Sequence, residues 1–414
     1  MASFVARTEG FTVWIHTALW AHAAIRLFAC QPAVFSPTLK GSDLASAGMD
    51  YETPLFFRVM RYAARADHDV VNMVSGNPDW EPPAGLREGL RVYANAEAER
   101  FQYPPSEGLR ALREEIAARR GVDASQVVVT NGTAEANSLA MAAALERDAG
   151  ETVLLTDPVY PYYPGKTTLL GGSERFVDVG PDGRLDPVAV REAADDDLAC
   201  IVVNTPNNPT GAVYPGSTVR ELVAIAEDYD AILVADEVYD HFDYSETFES
   251  ALSVESDHRI VTNGFSKSMA ATGIRIGYGL FPQGLVEGAK RRHMLINIAA
   301  SRPAQAAVLQ ALSETGPDYY AANRERLAGR IERFTRALEA TGATCVRPDG
   351  GFYVLARFPD YPGTLEAVEG LIDEAGVAGM PGEAFGKTTA DWIRFALVTP
   401  RVDEAADRLA DHFG

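Results

Sequence analysis

The chain has 414 residues, which is enough for two or three domains with a large core. It carries 37 basic and 58 acidic residues, a formal net charge of −21, so nucleic-acid binding is not expected, because a phosphate backbone attracts positive charge. A hydrophobic content of 47%, few lysines and many carboxylates indicate a globular protein with a solvated acidic surface, as in proteins of high-salt cytoplasms.

The three cysteines indicate a reducing compartment. Cys30, Cys200 and Cys345 lie far apart and no CxxC motif occurs, so we expect neither a metal site nor a disulfide framework. Cys200 stands within the apolar run "LACIVV", where it is expected to be a small core residue. The expected location is cytoplasmic.

The first 48 residues differ from the rest of the chain. The uncharged run 11–25 contains His16 and His22, and it is too short and too polar for a membrane span. The segment "LFAC" weakly resembles a lipoprotein cleavage site, but Phe28 is bulky for one. We therefore interpret residues 1–48 as an extension that is not native, with the protein beginning in effect at Met49, where an amphipathic helix is predicted.

From about residue 85, short apolar runs alternate with helical patterns. Leu109, Leu112 and Ile116 share one face of a predicted helix that Gly121 ends, and another helix is predicted through "AEANSLAMAAALER". Uniformly apolar strands spaced by helices predict an α/β fold, with a mainly parallel sheet flanked by helices in a large domain. The predicted strands are residues 126–130, 152–156, 199–204, 230–236 and 259–264.

After about residue 300 the pattern changes to a smaller α+β domain. A long helical stretch, 302–340, precedes "CVRPDGGFYVLARF", a further helix and "WIRFALV". The small domain is expected to take segments from both chain ends. The predicted limits are 1–48 for the extension, 49–82 for the N-terminal part of the small domain, 83–300 for the large cofactor-binding domain and 301–414 for the C-terminal small domain.

The turn "NGTAEA" follows the first predicted strand of the large domain directly. Gly132, Thr133 and Ala134 lead from that strand into a helix, where free backbone N–H groups and the helix dipole suit a phosphate. A strand, a glycine turn and a helix are common together, so this turn alone does not identify a phosphate site.

Unusual polar residues follow the later strands as well. Tyr160, Asn208, Asp236 with Tyr239, and Lys267 follow successive strands. Ligands of open α/β sheets bind beyond the carboxyl ends of the strands, so these side chains are expected to meet. A lysine amine, a buried carboxylate, an aromatic ring and a phosphate turn are what pyridoxal 5'-phosphate catalysis requires, because the lysine forms an imine and the carboxylate keeps the pyridine nitrogen protonated.

Several longer motifs carry a family resemblance. In order they are "QYPPSEGLRALREEIA", "NTPNNPTG", "DEVY", "SKSMAATGIRIGY", "PGEAFG" and "IRFALV". On these motifs the chain, from about Tyr51 to its end, resembles the class I/II aminotransferases of the fold-type I pyridoxal phosphate enzymes. The resemblance implies an amino-acid aminotransferase that exchanges an amino group between an amino acid and a 2-oxo acid in a ping-pong reaction.

The resemblance also implies roles for individual residues. Lys267 matches the lysine that forms the Schiff base and moves the α-proton, Asp236 the partner of the pyridine nitrogen, and Asn208 and Tyr239 the donors to the phenolic oxygen of the cofactor. Tyr160 matches the stacking ring. The phosphate site would consist of Gly132, Thr133, Ala134, Ser266 and Arg275.

The substrate and subunit contacts follow from the same resemblance. Arg394 matches the arginine that binds the substrate α-carboxylate by a bidentate fork, and Gly76 matches a glycine whose backbone lines that site. Asn208 is expected to contact the substrate there as well. Tyr103 matches a tyrosine that reaches the phosphate of a neighbouring subunit, which implies a homodimer. No nucleic-acid partner and no membrane are expected.

One residue departs from the family pattern, and the roles of two others are undecided. Gly264 occupies a position where some family members have serine, so phosphate binding is expected to depend on Ser266, Arg275 and the turn. Asn297 or Arg302 could meet a distal carboxylate of the substrate, although Arg302 is more simply explained as a residue that opens a helix before Pro303.

Other functions remain to be weighed against the aminotransferase. A carbon–sulfur lyase or a decarboxylase needs the same cofactor residues, and the fold does not decide the reaction. A regulatory protein on this fold is disfavoured because Lys267, Asp236 and Arg275 are all present and no helix-turn-helix domain precedes them. A nicotinamide-dependent dehydrogenase is disfavoured because no GxGxxG follows any predicted strand. The amino donor and the acceptor stay undetermined.

Overall fold

The computed structural model describes residues 53–147 and 149–414, together with residues 7, 8, 11 and 12. In the unit Met1–Glu52, strand β1 (Arg7–Thr8) pairs antiparallel with strand β2 (Phe11–Thr12). The rest of the predicted extension 1–48 lies outside the described residues.

The second unit, Thr53–Gly414, begins with the helix Leu55–Ala63 and the short strand β3 (Val71–Asn72). The helix has an apolar face that buries Val59, which confirms the amphipathic helix predicted near residue 49 for the part of it that is described. The remaining helices are Ala84–Ala94, Arg110–Arg120, Thr133–Leu145, Tyr162–Leu169, Pro187–Ala193, Gly216–Asp228, Gln283–Asn297, Arg302–Glu314, Pro317–Glu339, Leu365–Ala375 and Val402–Phe413.

A seven-stranded sheet forms the centre of the second unit. Its strands are β4 (Val127–Thr130), β5 (Thr152–Asp157), β6 (Ser173–Asp178), β7 (Leu198–Asn204), β8 (Ile232–Asp236), β9 (Arg259–Gly264) and β10 (Gly277–Leu280). They lie in the order β4-β10-β9-β8-β7-β5-β6. Strands β5 to β9 pair in parallel, and β10 runs antiparallel to both of its neighbours. The predicted, mainly parallel sheet is confirmed.

Both faces of this sheet are buried. Alternate side chains of each strand enter different cores: Leu233 and Val261 belong to one, whereas Val234 and Ile260 belong to the other. Helices cover both cores, so the strands read as continuous apolar runs instead of an alternating pattern. This burial is the reason that five strands could be recognised from the sequence.

Strands β6 and β10 were not predicted. Strand β6 is an edge strand that pairs only with β5, and most of its side chains are exposed, so no apolar run marks it. Strand β10 is only four residues long and contains Gly277 and Gly279, which contribute no side chain to a pattern.

A second, antiparallel sheet forms near the C-terminus. It consists of β11 (Thr344–Val346), β12 (Tyr353–Arg357), β14 (Met380–Pro381) and β15 (Ile393–Ala396), in the order β11-β12-β15-β14. Strand β13 (Val377–Ala378) pairs in parallel with β3. One core joins Val59 and Val71 to Phe334, Leu371 and Phe395, so both ends of the described unit pack together.

The predicted helical stretch 302–340 forms two helices, because Gly316 and Pro317 interrupt it. The first of them, Arg302–Glu314, packs through Ala307 and Ala311 on the core of the central sheet and on the helix Ala84–Ala94. The predicted domain limits remain predictions, and this packing favours a limit nearer residue 315 than residue 300. No helix in the described part of the chain has both the length and the apolar character that crossing a membrane requires.

Candidate active site

A cavity of about 430 Å³ opens at the carboxyl ends of the central strands. Its wall includes the ends of β7 and β8, the start of the helix Thr133–Leu145 and part of β15. Eleven of the thirteen site residues predicted from the sequence line it: Gly76, Thr133, Ala134, Tyr160, Asn208, Asp236, Tyr239, Ser266, Lys267, Arg275 and Arg394.

Asp236 ends strand β8 with a buried carboxyl group. Its Oδ2 accepts hydrogen bonds from Asn137 Nδ2 and from the Tyr163 hydroxyl, both at 2.7 Å, and its Oδ1 accepts one from the Val238 N–H at 3.1 Å. Burial raises the pKa of Asp236, and the three hydrogen bonds oppose the rise. All three donors are neutral, so the carboxyl group favours a cation in the cavity.

The turn before the helix Thr133–Leu145 approaches Arg275 closely. Arg275 donates from Nη2 to the Asn131 carbonyl at 3.1 Å. Gly132 has φ +84°, and a Cβ there would lie 2.4 Å from Arg275 Nη2, so only glycine fits. The Thr133 hydroxyl is buried without a hydrogen-bond partner at the helix N-terminus, where the dipole is positive. These groups together suit an anion.

Two further glycines let this turn sit against the sheet. A Cβ at Gly277 would lie 2.4 Å from the Thr133 backbone nitrogen. At Gly264, the position where serine was noted as the alternative, a Cβ would lie 2.5 Å from Thr133 Oγ1. The residue type at position 264 is therefore explained by the packing of Thr133.

Lys267 presents its amine to the cavity. Its Nζ donates to the Gly76 carbonyl at 2.8 Å. Burial lowers the pKa of Lys267 to about 8; Arg394 and Arg275 act in the same direction, and Asp236 opposes them. An amine with this pKa is about one-tenth neutral at pH 7, far more than an ordinary lysine, and the neutral amine is the nucleophile.

Arg394 lies buried in strand β15. Its Nη1 donates to Asn208 Oδ1 at 2.9 Å, and its Nη2 donates to the Val74 carbonyl at 2.5 Å. The guanidinium carbon lies 4.3 Å from the centroid of the Tyr353 ring. The Nε atom is buried without a partner, and neither hydrogen bond goes to a carboxylate. The buried guanidinium of Arg394 is permanently charged and has no carboxylate partner among these contacts. It is therefore suited to binding the carboxylate of a ligand.

The hydroxyl groups of Tyr239 and Tyr353 are 3.0 Å apart. A Cβ at Gly76 would lie 2.2 Å from the Tyr353 hydroxyl oxygen, so glycine is required beside this pair. Tyr160 is packed against Tyr163, with ring centroids 5.4 Å apart. The cavity wall thus combines phenols with the amine, the guanidinium and the carboxyl group.

Comparison with known proteins identifies the family. Residues 68–412 match the family model "Aminotransferase class I and II". The chain is 32% identical over 357 residues to an aspartate/prephenate aminotransferase of Thermus thermophilus, covering 84% of this chain and 91% of the relative. It is 28% identical to aromatic-amino-acid aminotransferase 2 of Thermococcus litoralis, covering 87% and 96%.

A solved structure agrees with the sequence match. A single mutant of Thermus thermophilus aspartate aminotransferase superposes with a TM-score of 0.81 at 30% identity, covering 87% of this chain and 97% of that one. The chain belongs to the class I and II aminotransferase family. The predicted fold class and the predicted activity, that of an amino-acid aminotransferase dependent on pyridoxal 5'-phosphate, are confirmed, and the lyase and decarboxylase alternatives are not favoured.

The cavity of this aminotransferase fits the cofactor that the family uses. The Thr133 hydroxyl and the helix N-terminus suit its phosphate, the carboxyl group of Asp236 suits its pyridine nitrogen, and Lys267 suits its aldehyde. Within the described ranges, no group of three or more His, Cys, Asp or Glu side chains is arranged to hold a metal ion.

Two predicted site residues do not line the cavity. Gly132 lies directly behind Thr133, against Arg275. Tyr103 is 82% exposed and lines a separate groove. The two open positions lie outside the cavity as well: Asn297 donates to Glu135 Oε1 at 2.6 Å, and Arg302 donates to the carbonyls of Glu99 and Gln102.

The sequence reasoning missed several residues of the cavity wall. Asn137 and Tyr163, the partners of Asp236, stand inside helices where their motifs give no sign of a polar role. Asn137 lies four residues after Thr133, so it faces the same side of that helix, and this spacing could have revealed it. Tyr353 and Phe56 come from the small sheet and the first described helix, far away in the chain.

Glu135 was also missed, although it holds the turn that precedes the helix Thr133–Leu145. Its Oε2 accepts from the Asn131 N–H at 2.7 Å, and its Oε1 accepts from Asn297 and lies 2.6 Å from His293 Nδ1. Because Arg275 bonds the Asn131 carbonyl, this network orients both sides of the turn. Asn297, at the end of the helix Gln283–Asn297, therefore has a structural role as a donor to Glu135.

The lowered pKa of Lys267 predicts the pH dependence of its reactivity. In the cofactor-free protein, labelling of Lys267 by an amine reagent should rise about tenfold per pH unit and level off near pH 8, because only the neutral amine reacts. An ordinary lysine levels off near pH 10.4. Peptide mass spectrometry after brief labelling between pH 6 and 11 measures the profile.

The variant Arg394→Ala provides the matched control. It removes a positive charge that lowers the pKa of Lys267, so the profile should move to higher pH. A wild-type profile that still rises at pH 10 would contradict the assignment.

Proposed function

We propose that this aminotransferase binds its amino donor and its 2-oxo acid acceptor in turn between Lys267 and Arg394. The observation that carries the proposal is that both side chains bond the same short backbone segment: Lys267 bonds the Gly76 carbonyl and Arg394 the Val74 carbonyl. A substrate whose carboxylate meets Arg394 would lie along this segment, with its α-carbon beside the amine of Lys267.

The residues around Asp236 would hold the cofactor. Asp236 would pair with the pyridine nitrogen, and Tyr160 would stack on the ring. Tyr239 would donate to the phenolic oxygen, and so would Asn208, whose Oδ1 is already occupied by Arg394 and whose Nδ2 remains for that purpose. The phosphate would be bound by Gly132, Thr133, Ala134, Ser266 and Arg275.

Bound in this way, pyridoxal 5'-phosphate supplies an aldehyde that takes up the amino group and a ring that accepts electrons from the α-carbon. Lys267 would take the proton from the α-carbon of the substrate, for which its lowered pKa is suited. Arg394 would hold the α-carboxylate with two hydrogen bonds and so fix the α-carbon beside that base.

We further propose that the enzyme is a homodimer and that Tyr103 reaches the phosphate site of the partner subunit. Phe101 and Tyr103 are exposed and line a groove together with residues 299–303. Next to it, Leu295 is 80% exposed, and Ile298 has φ +64°, which is unusual for a β-branched residue. Exposed apolar side chains on this groove and on the adjoining end of the helix Gln283–Asn297 support an interface with a second copy.

The cytoplasmic location remains part of the proposal. The two described cysteines, Cys200 and Cys345, are both free thiols, which supports a reducing compartment. The charge of −21 supports an acidic surface suited to high salt.

A half-reaction tests the proposed activity. With one amino acid present and no 2-oxo acid, the cofactor-loaded protein should release one equivalent of the matching 2-oxo acid and then stop. Lys267→Ala should abolish this release, and Arg394→Ala should slow it at least about 100-fold, because the carboxylate loses its bidentate partner. Product analysis by mass spectrometry measures the release. Continued formation of ammonia over many turnovers would contradict the proposal.

Sedimentation velocity tests the proposed dimer. Leu295→Glu should convert a dimeric protein into monomers, because it places a charge in an apolar interface. Val188→Glu, at a residue that is also exposed but lies on the helix Pro187–Ala193, should leave the dimer intact. A monomeric wild type, or a dimer that survives Leu295→Glu unchanged, would contradict the proposed interface.

A further inference from the structure

Asp157 is the last residue of strand β5, and its buried carboxylate accepts hydrogen bonds from the other sheet's side of the molecule. Its Oδ2 accepts from the Lys387 N–H at 2.9 Å. Its Oδ1 accepts from the Thr388 N–H at 3.2 Å and from the Thr388 hydroxyl at 2.8 Å. Both donor residues belong to the β14–β15 loop, residues 382–392, which connects these two strands of the small antiparallel sheet. Asp157 therefore joins the central sheet to the small one.

The loop lies directly against the end of β5. A Cβ at Gly386 would lie 2.0 Å from Asp157 Oδ1, so a side chain at this position would push the loop away. Next to this contact, the Val159 N–H donates to the Phe385 carbonyl at 2.7 Å. The contact thus consists of backbone and side-chain hydrogen bonds in a place where only glycine allows them to form.

The same loop determines the surroundings of Arg394. It leads into β15, in which Arg394 is the second residue. The guanidinium carbon of Arg394 lies 5.0 Å from the centroid of the Phe385 ring and 4.3 Å from that of Tyr353. Packing against rings helps to orient a guanidinium group. A shift of the β14–β15 loop would therefore move both Phe385 and the fork that it supports.

The other side of the contact leads to the cofactor site. Asp157 stands three residues before Tyr160, which lines the cavity and would stack on the cofactor ring. Val159, which bonds the loop, is the neighbour of Tyr160. The contact at Asp157 thus connects the segment that would support the cofactor with the loop that supports Arg394.

The charge of Asp157 makes this contact specific. A carboxylate buried in protein is stable only if hydrogen-bond donors replace the water that it loses. The β14–β15 loop supplies such donors in the position it occupies here, and hydrogen bonds to a charged group are the stronger kind. We propose that Asp157 is a positioning residue that fixes the Arg394 guanidinium through the β14–β15 loop, an inference that rests on the assignment of the substrate carboxylate to Arg394.

Chemical labelling of Arg394 tests the proposal without any reaction. Phenylglyoxal modifies accessible guanidinium groups, and peptide mass spectrometry of the cofactor-loaded protein measures the rate at Arg394, which is buried in the wild type. Asp157→Ala should raise this rate at least about fivefold, because the loop loses the acceptor that holds it. A rate that stays within about twofold of the wild type would overturn the proposal.

Asp243→Ala is the matched control. Asp243 accepts from the Ser245 N–H, the Ser245 hydroxyl and the Phe248 N–H, at 2.9, 2.7 and 3.1 Å, so the variant removes the same kinds of hydrogen bond. These three residues do not line the described cavity. Labelling of Arg394 in Asp243→Ala should therefore stay within about twofold of the wild type. An increase equal to that of Asp157→Ala would show general loosening and overturn the proposal.

Two milder variants cover the case in which Asp157→Ala does not fold. Asp157→Asn removes the charge and keeps one acceptor oxygen, and Thr388→Val removes only the hydroxyl donor. Each should raise the labelling rate of Arg394 by about twofold to fivefold, because part of the contact remains. Wild-type rates in both variants would overturn the proposal.

The half-reaction shows whether the position of Arg394 matters to the substrate. L-Aspartate and L-phenylalanine serve as probes. In Asp157→Ala the concentration that half-saturates the half-reaction should rise at least about tenfold, and by more than the rate at saturation falls, because the carboxylate fork is displaced. A half-saturating concentration within about twofold of the wild type would overturn the proposal.

The two measurements separate this proposal from the proposed function. A wild type that shows no half-reaction would remove the proposed function, while the labelling of Arg394 would still decide whether Asp157 positions it. A normal wild-type half-reaction combined with unchanged labelling in Asp157→Ala would overturn only the role of Asp157.

Discussion

The carboxyl group of Asp236, buried where strand β8 ends, is the constraint on which the rest of the site depends. Burial raises its pKa, and the hydrogen bonds from Asn137, Tyr163 and the Val238 N–H favour its ionised form. Because these donors are neutral, the negative charge is available to a cation in the cavity. The pyridinium nitrogen of the family's cofactor meets this requirement, and its protonated state makes the ring an electron acceptor.

The substrate side of the cavity depends on packing between the two sheets. Lys267 follows the central strand β9, whereas Arg394 belongs to β15 of the antiparallel sheet, and both bond the segment that follows β3. Burial lowers the pKa of both Lys267 and Arg394, and the charge of Arg394 lowers the pKa of Lys267 further. Packing of the small sheet on the central sheet therefore fixes the position of the Arg394 guanidinium and contributes to the lowered pKa of Lys267.

The sequence predicted those parts of the site that stand at strand ends. Asp236 and Lys267 follow buried apolar runs, which are visible in the sequence because both faces of the central sheet are covered. Strand β10 was missed because it is short and contains two glycines, and the reason for glycine at position 264 was not visible because it is contact with Thr133, a residue far away in the chain. Phe56 was missed for the same reason, because its place in the wall depends on tertiary packing.

Mapping the lysine that carries the cofactor tests the central claim most directly. Borohydride reduction of the loaded protein makes the bond between cofactor and lysine permanent, and peptide mass spectrometry then locates it among the five lysines of the chain. The account predicts the added mass on Lys267, whose pKa is lowered to about 8 and whose amine faces the cavity. Stoichiometric modification of Lys166 or Lys290 instead, with Lys267 unmodified, would contradict it.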